Sequence, residues 1–127
     1  MFGLFKKPDI RKTTNQCLEV WNMLSERDKK SSAQNILRIT EHLKDTCNNG
    51  SSALMEIGSI KQSVISKFGL RDHVHPGYMQ VQILSDFIFS KSQNMADLLH
   101  SKMALDEILT PLTNNEKEIV ITNLDRF

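Results

Sequence analysis

Two histidines separated by one residue, His73 and His75, come closest in this sequence to a chemical motif. Imidazole nitrogens bind transition metals, and Asp72 beside them adds a carboxylate. A zinc site needs at least a third protein ligand, however, and the sequence has no His-Glu-x-x-His motif to provide it. We therefore weigh a transition-metal site at His73 and His75 against a simpler interpretation, in which His75 caps a helix that begins at Pro76.

Motifs for other kinds of catalysis do not stand out. The sequence contains neither the Gly-x-Ser-x-Gly motif of serine hydrolases nor a phosphate-binding glycine loop. A diiron helical bundle needs Glu-x-x-His on two helices, whereas this chain offers only Asp97-x-x-His100, once. The motifs therefore favour a non-enzymatic role, with a metal-binding protein or metal-dependent enzyme that uses His73 and His75 as an alternative.

The overall composition is that of an ordinary globular domain. The chain has 127 residues, of which 39% are hydrophobic and 24% are charged. Its formal net charge of +1 argues against a nucleic-acid-binding protein. A nucleic-acid-binding regulator that uses Arg11, Lys12 and Arg71 is the third functional hypothesis.

The expected location of the protein follows from its cysteines and its apolar runs. Cys17 and Cys47 fall on the apolar faces of predicted helices, so we expect both to be buried free thiols. Free thiols are typical of proteins in a reducing compartment. No apolar run approaches the roughly 18 residues of a membrane span, so we expect no integral membrane association. We expect a cytoplasmic protein.

Capping signals divide the chain into five or six helices. Thr13 and Gln16 have the spacing of a capping box, so we expect the first helix to begin after Thr13. Asn48-Asn49-Gly50 should end the second helix and Gly69 the third, while Pro76 suits the first turn of the fourth. Further signals fall at Ser25, Ser51 or Ser52, Ser92, Thr110-Pro111 and Thr113.

These signals predict an all-α fold, a compact single-domain array of five or six helices over residues 13–127. Residues 1–12 should form a basic, flexible N-terminal segment. The alternative is an α+β fold, because residues 78–84 alternate between apolar and polar side chains and residues 118–122 are β-branched. Those two segments would pair as a small two-stranded element. We favour the all-α fold because helix-start signals precede both segments.

The fourth helix has almost no polar face. Its apolar residues are Met79, Val81, Ile83, Leu84, Phe87, Ile88 and Phe89. A helix that is apolar all round is either central to its own domain or covered by another chain. The fifth helix is apolar as well, and the two together exceed what one small domain easily hides. The sequence therefore predicts a protein-protein interaction module, a homodimer included, with Ile83, Phe87, Ile88 and Phe89 as the partner-binding residues. A plain core helix fits the pattern equally well.

Overall fold

The computed structural model describes residues 9–69 and 75–127, which form six α-helices. The helices are α1 (Ile10–Met23), α2 (Glu26–Thr46), α3 (Gly50–Phe68), α4 (Pro76–Ser90), α5 (Met95–Ile108) and α6 (Asn114–Leu124). No strand occurs in either described range. The predicted all-α array is confirmed. The α+β alternative is wrong, because residues 78–84 lie inside α4 and residues 118–122 inside α6.

The first helix begins earlier than the sequence predicts. Asp9 is its N-cap, and the Asp9 carboxylate accepts a hydrogen bond from the Lys12 backbone N–H at 3.1 Å. The predicted capping box at Thr13 is wrong, because the Thr13 hydroxyl donates instead to Asp86 of α4 at 2.7 Å. Helix α1 therefore begins at Ile10, and residues 1–8 of the basic N-terminal segment lie outside the described ranges.

Most other boundaries follow their capping residues. The Ser25 hydroxyl accepts the Asp28 N–H at the start of α2, and Thr113 forms a capping box with Glu116 at the start of α6. Helix α3 ends at Gly69, whose φ of 63° and ψ of 32° are left-handed. The start of α3 lies one residue before the prediction, because Asn49 is the cap and makes its capping box with Ser52. The predicted contact of Leu70 with Ile65 falls on a residue outside the described ranges.

Helix α4 occupies the centre of the array. It packs against α1, α2, α3 and α5, and α6 closes the far side of α2. Every helix contributes fully buried side chains to one continuous apolar core, among them Trp21, Ile36, Ile57, Leu84, Leu105 and Leu124. The core therefore surrounds the helix that the sequence marks as the most apolar.

Helices α2 and α3 are the longest, with 21 and 19 residues. Both pack against α4, and the His42 Nε2 and Glu56 Oε2 atoms, 3.2 Å apart, join α2 to α3. In the part of the chain that the structure describes, no helix has both the length and the apolar character needed to cross a bilayer.

Candidate functional site

The structure assigns His75 a role in helix capping. Its Nδ1 accepts the Gly77 backbone N–H at 2.9 Å, and its ring stacks on Phe68 with centroids 4.3 Å apart. The simpler interpretation of His75 as a helix cap is thus confirmed. His73 lies outside the described residues, and residues 9–69 and 75–127 contain no group of three His, Cys, Asp or Glu side chains that could share a metal ion. The capping bond leaves only Nε2 of His75 for a ligand.

The partner-binding residues expected on α4 occupy a different place. Ile83, Phe87 and Ile88 are buried against the neighbouring helices of the same chain, and Phe89 is half-buried. The burial of Ile83, Phe87 and Ile88 contradicts an interface at these three residues, because side chains that fill the core of one molecule are not available to a second. For the half-buried Phe89 the interface stays a prediction. Of the two interpretations of α4, the structure shows the central core helix.

A buried carboxylate interrupts the apolar surface of α4. Asp86 is almost fully buried and accepts hydrogen bonds from Thr13 Oγ1 at 2.7 Å, Thr14 Oγ1 at 3.0 Å and Gln82 Nε2 at 2.8 Å. Burial raises the pKa of Asp86, although the three hydrogen bonds and the Lys61 ammonium oppose the shift. This network joins α1 to α4, and every polar atom in it has a partner, so we assign it to the fold rather than to a binding site.

The thiol nearest to this network is not a nucleophile. Cys17 is buried, and its Sγ lies 3.7 Å from the Met79 carbonyl oxygen. Burial raises the pKa of the Cys17 thiol, and the Asp86 carboxylate raises it further. Because the thiolate is the reactive form of cysteine, Cys17 is unreactive in the folded protein. Cys47 is also a buried free thiol.

The exposed apolar residues concentrate on α5. Met95, Leu99 and Met103 are 66%, 53% and 71% exposed, and their spacing of four residues sets them in one line along the helix. We call these three residues the α5 stripe. Other strongly exposed methionines, Met23 and Met55, stand alone on α1 and α3. The α5 stripe therefore aligns three exposed apolar side chains on one helix face, whereas Met23 and Met55 are single exposed side chains.

The opposite face of α5 makes polar contacts with α1. The Arg11 guanidinium binds Asp97 at 3.2 Å, and the His100 Nε2 and Asn15 Oδ1 atoms are 3.0 Å apart, so two polar contacts join α5 to α1. Arg11, one of the cations expected to contact nucleic acid, is thus engaged within the chain, and Arg71 lies outside the described ranges. These contacts lie on the side of α5 that faces α1, and the stripe is exposed on the other side.

A second open feature is the cleft between α2, α3 and the first turns of α4. It has a volume of about 500 Å³. Its lining residues are Asp28, Ser31, Ser32, Asn35, Ile60, Ser63, Val64, Lys67, Phe68, His75, Pro76, Gly77 and Gln80. One wall is apolar and the facing wall is polar, as in sites that bind small molecules. We call this feature the α2–α3–α4 cleft.

Sequence reasoning located neither open feature in advance. It marked α5 as apolar without separating its buried face from its exposed face, and it treated His75 only as a metal ligand or a cap. The chain matches no protein-family model, and neither a curated protein nor a solved structure shows significant similarity to it. The functional argument therefore starts from the α5 stripe and the α2–α3–α4 cleft.

Proposed function

We propose that this chain is a small helical protein-interaction module, which acts by binding rather than by catalysis and pairs with a second copy of itself through the α5 stripe. The observation that carries the proposal is the exposure of Met95, Leu99 and Met103 along one face of a helix. Large apolar side chains in a row cost free energy in water, about 25 cal/mol for each Å² that a partner could cover. A partner that covers this face would recover that free energy, which favours binding as its role.

The composition of the stripe suits a contact between helices. Methionine side chains are flexible and polarisable, so they adapt to the surface that they meet. The charged residues at the edge of the stripe, Lys102 and Asp106, lie 3.7 Å apart and offset each other within the chain. A partner that packs on the stripe therefore meets no uncompensated charge from this pair.

The order of residues in the stripe supports a second copy as the partner. Leu99 lies midway between two methionines, so the pattern is the same when it is read in either direction. In a dimer with a two-fold axis at Leu99, the two α5 helices run antiparallel, and Met95 of each copy packs on Met103 of the other. The stripe itself contains no charged side chain, so no like charges face each other within it.

The contact area of one helix face sets the expected strength. Stable dimers bury roughly 800 Å² per partner, and a stripe of three side chains with its neighbours falls at or below that figure. We therefore expect a dimer whose population changes with protein concentration rather than a permanent assembly.

The experiment is sedimentation velocity of the protein over a wide range of concentrations, beside two variants. Leu99→Asp places a charge at the centre of the stripe, and Met55→Asp makes a comparable change at an isolated methionine of α3 that is 76% exposed. We expect a monomer-dimer equilibrium for the wild type and for Met55→Asp, and a monomer for Leu99→Asp. Circular dichroism spectra should show that both variants fold.

Two results would contradict the proposal. A wild-type protein that stays monomeric at the highest concentration removes self-association through α5. A dimer that persists in Leu99→Asp shows that the contact lies elsewhere on the surface.

We also propose a reducing compartment, the cytoplasm, as the location of the protein. Both cysteines are buried as free thiols on different helical elements, which fits a protein that never meets an oxidising environment.

A further inference from the structure

We infer that the α2–α3–α4 cleft binds a small, uncharged, planar heteroaromatic molecule that carries a carboxamide-like edge, a hydrogen-bond donor next to an acceptor. This site lies apart from the α5 stripe and does not depend on the proposed dimer. Its volume of about 500 Å³ falls within the range of small-molecule sites.

The aromatic specificity comes from the end of the cleft where α3 and α4 meet. Phe68 and His75 stack with an angle of 27° between their planes, and both rings line the cleft. Phe68 is 49% exposed, and the Lys67 ammonium lies 5.4 Å from the centroid of its ring. A ligand ring that stacks on Phe68 would therefore pack beside this flexible side chain or displace it. A planar ring can extend such a stack in the offset geometry that aromatic pairs prefer.

The orientation of this flat surface is fixed before any ligand binds. The bond from the Gly77 N–H to Nδ1 fixes the orientation of the His75 ring. A side chain at position 77 would meet the same nitrogen, because a Cβ built on Gly77 lies 3.1 Å from His75 Nδ1. Glycine thus allows the imidazole to lie against the first turn of α4.

The donor and acceptor come from a pair of amides at the polar wall. Asn35 Nδ2 donates to Gln80 Oε1, and Gln80 is 6% exposed. This bond leaves Asn35 Oδ1 as an acceptor and Gln80 Nε2 as a donor, neither of which has a partner among residues 9–69 and 75–127. Two paired amides with one free acceptor and one free donor match a carboxamide or lactam edge, which presents the complementary groups.

The charges around the cleft favour an uncharged ligand. Asp28 and Lys67 both line it, so these two side chains together leave the lining without a net charge. The remaining wall consists of Ile60, Val64 and Pro76, which offer apolar contact to the ring. A neutral ring with one polar edge is the ligand that uses both walls.

The test is a titration followed by ¹H–¹⁵N correlation spectra of the whole chain. Nicotinamide is the probe, because it is a planar heteroaromatic ring with a carboxamide. Nicotinate keeps the ring but lacks the amide donor, and cyclohexanecarboxamide keeps the amide but lacks the flat ring. We expect nicotinamide to shift the Gly77 backbone signal and the side-chain amide signals of Asn35 and Gln80, and the two analogues to bind about tenfold more weakly.

Variants locate the effect. Phe68→Leu removes the aromatic plane but keeps an apolar side chain, and Gln80→Met removes the amide but keeps a similar length. Each should weaken nicotinamide binding by about tenfold, whereas Met95→Leu, on the α5 stripe, should leave it unchanged.

Several outcomes would overturn the inference. They are the absence of localised shifts up to the solubility limit of nicotinamide, equal binding of either analogue, and undiminished binding by Phe68→Leu. None of them bears on the dimer, which the concentration series tests independently.

Discussion

Helices α4 and α5 follow each other in the chain, pack against each other and are both rich in apolar residues, yet they have opposite relations to solvent. Helix α4 has α1, α2, α3 and α5 around it, and its Ile83 and Leu84 are fully buried. The main packing partners of helix α5 are α1 and α4, and one side of it, the α5 stripe, is exposed. The comparison teaches that the position of a helix in the array, rather than its apolar content, decides whether it forms core or surface.

The same substitution in the two helices should give the largest difference. Leu84→Ala removes a fully buried side chain and leaves a cavity, which should lower the free energy of unfolding by about 3 to 5 kcal/mol. Leu99→Ala removes a side chain that already contacts water and should change it by less than about 0.5 kcal/mol. Urea denaturation at a protein concentration where both variants are monomeric measures the two values. Similar losses of unfolding free energy in the two variants would contradict the difference between α4 and α5.

Substitutions of Asp86 test whether the stability of the fold depends on the polar network at the centre of α4. Asp86→Ala leaves the buried Thr14 hydroxyl without its acceptor and should cost about 1 to 3 kcal/mol in unfolding free energy. Asp86→Asn keeps an acceptor for Thr13 and Thr14 and should recover part of that loss. Thermal unfolding of the three proteins at one pH ranks them, and an Ala variant as stable as the wild type would show that the network is dispensable.

The free energy of unfolding should also depend on pH through Asp86. Burial raises the pKa of Asp86 above its ordinary 3.8, so the folded chain keeps this proton to a higher pH than the unfolded chain does. The contribution of Asp86 is therefore most favourable below pH 3.8, and the free energy of unfolding falls as the pH rises from there through the folded-state pKa. Denaturation curves of wild type and Asp86→Asn over that pH range should diverge, with the wild type losing stability relative to the variant. Parallel curves would contradict the shift.

The contact between the two helices should show a smaller effect. Ser90 and Ser101 are fully buried, and their hydroxyl oxygens lie 2.9 Å apart between α4 and α5. Ser101→Ala removes this bond, but Ser90 keeps the Phe87 carbonyl as its acceptor at 2.8 Å. We expect a loss of about 0.5 to 1.5 kcal/mol by denaturant titration. The exposed Ser92 provides the control, because Ser92→Ala should be close to neutral.

The smallest effect on stability should come from the stripe itself. Met103→Lys replaces an exposed side chain by another good helix former, so the unfolding free energy of the monomer should change by less than about 0.5 kcal/mol. The same variant should shift the monomer-dimer equilibrium toward monomer. A large loss of monomer stability would mean that the stripe belongs to the fold, against the difference between α4 and α5 described above.

Much of this fold could be predicted from capping chemistry alone. Ser25, Gly69 and Thr113 occupy the positions that their side chains or backbone freedom indicate, because caps act on their immediate neighbours in the chain. The prediction for Thr13 was wrong because its hydroxyl donates to Asp86, a residue distant in the sequence, instead of capping a helix. Asp9 carried the correct signal, an acidic residue three positions before the amide that it caps.

The open features could not be predicted in the same way. Met95, Leu99 and Met103 have the helical spacing of a buried face, and only their exposed fractions in the assembled fold show that they face solvent. The pairing of Asn35 with Gln80 joins residues 45 positions apart, which no local pattern records. Features that depend on which helices become neighbours require the assembled chain.

The two buried thiols allow local opening of the helical array to be measured by chemical modification. Alkylating reagents reach only a thiolate exposed to solvent, and Cys17 and Cys47 are 3% and 4% exposed in the closed array. Modification of Cys17 would therefore record separation of α1 from α4, and modification of Cys47 would record opening of the turn between α2 and α3. The rates of the two reactions would show which part of the array opens first.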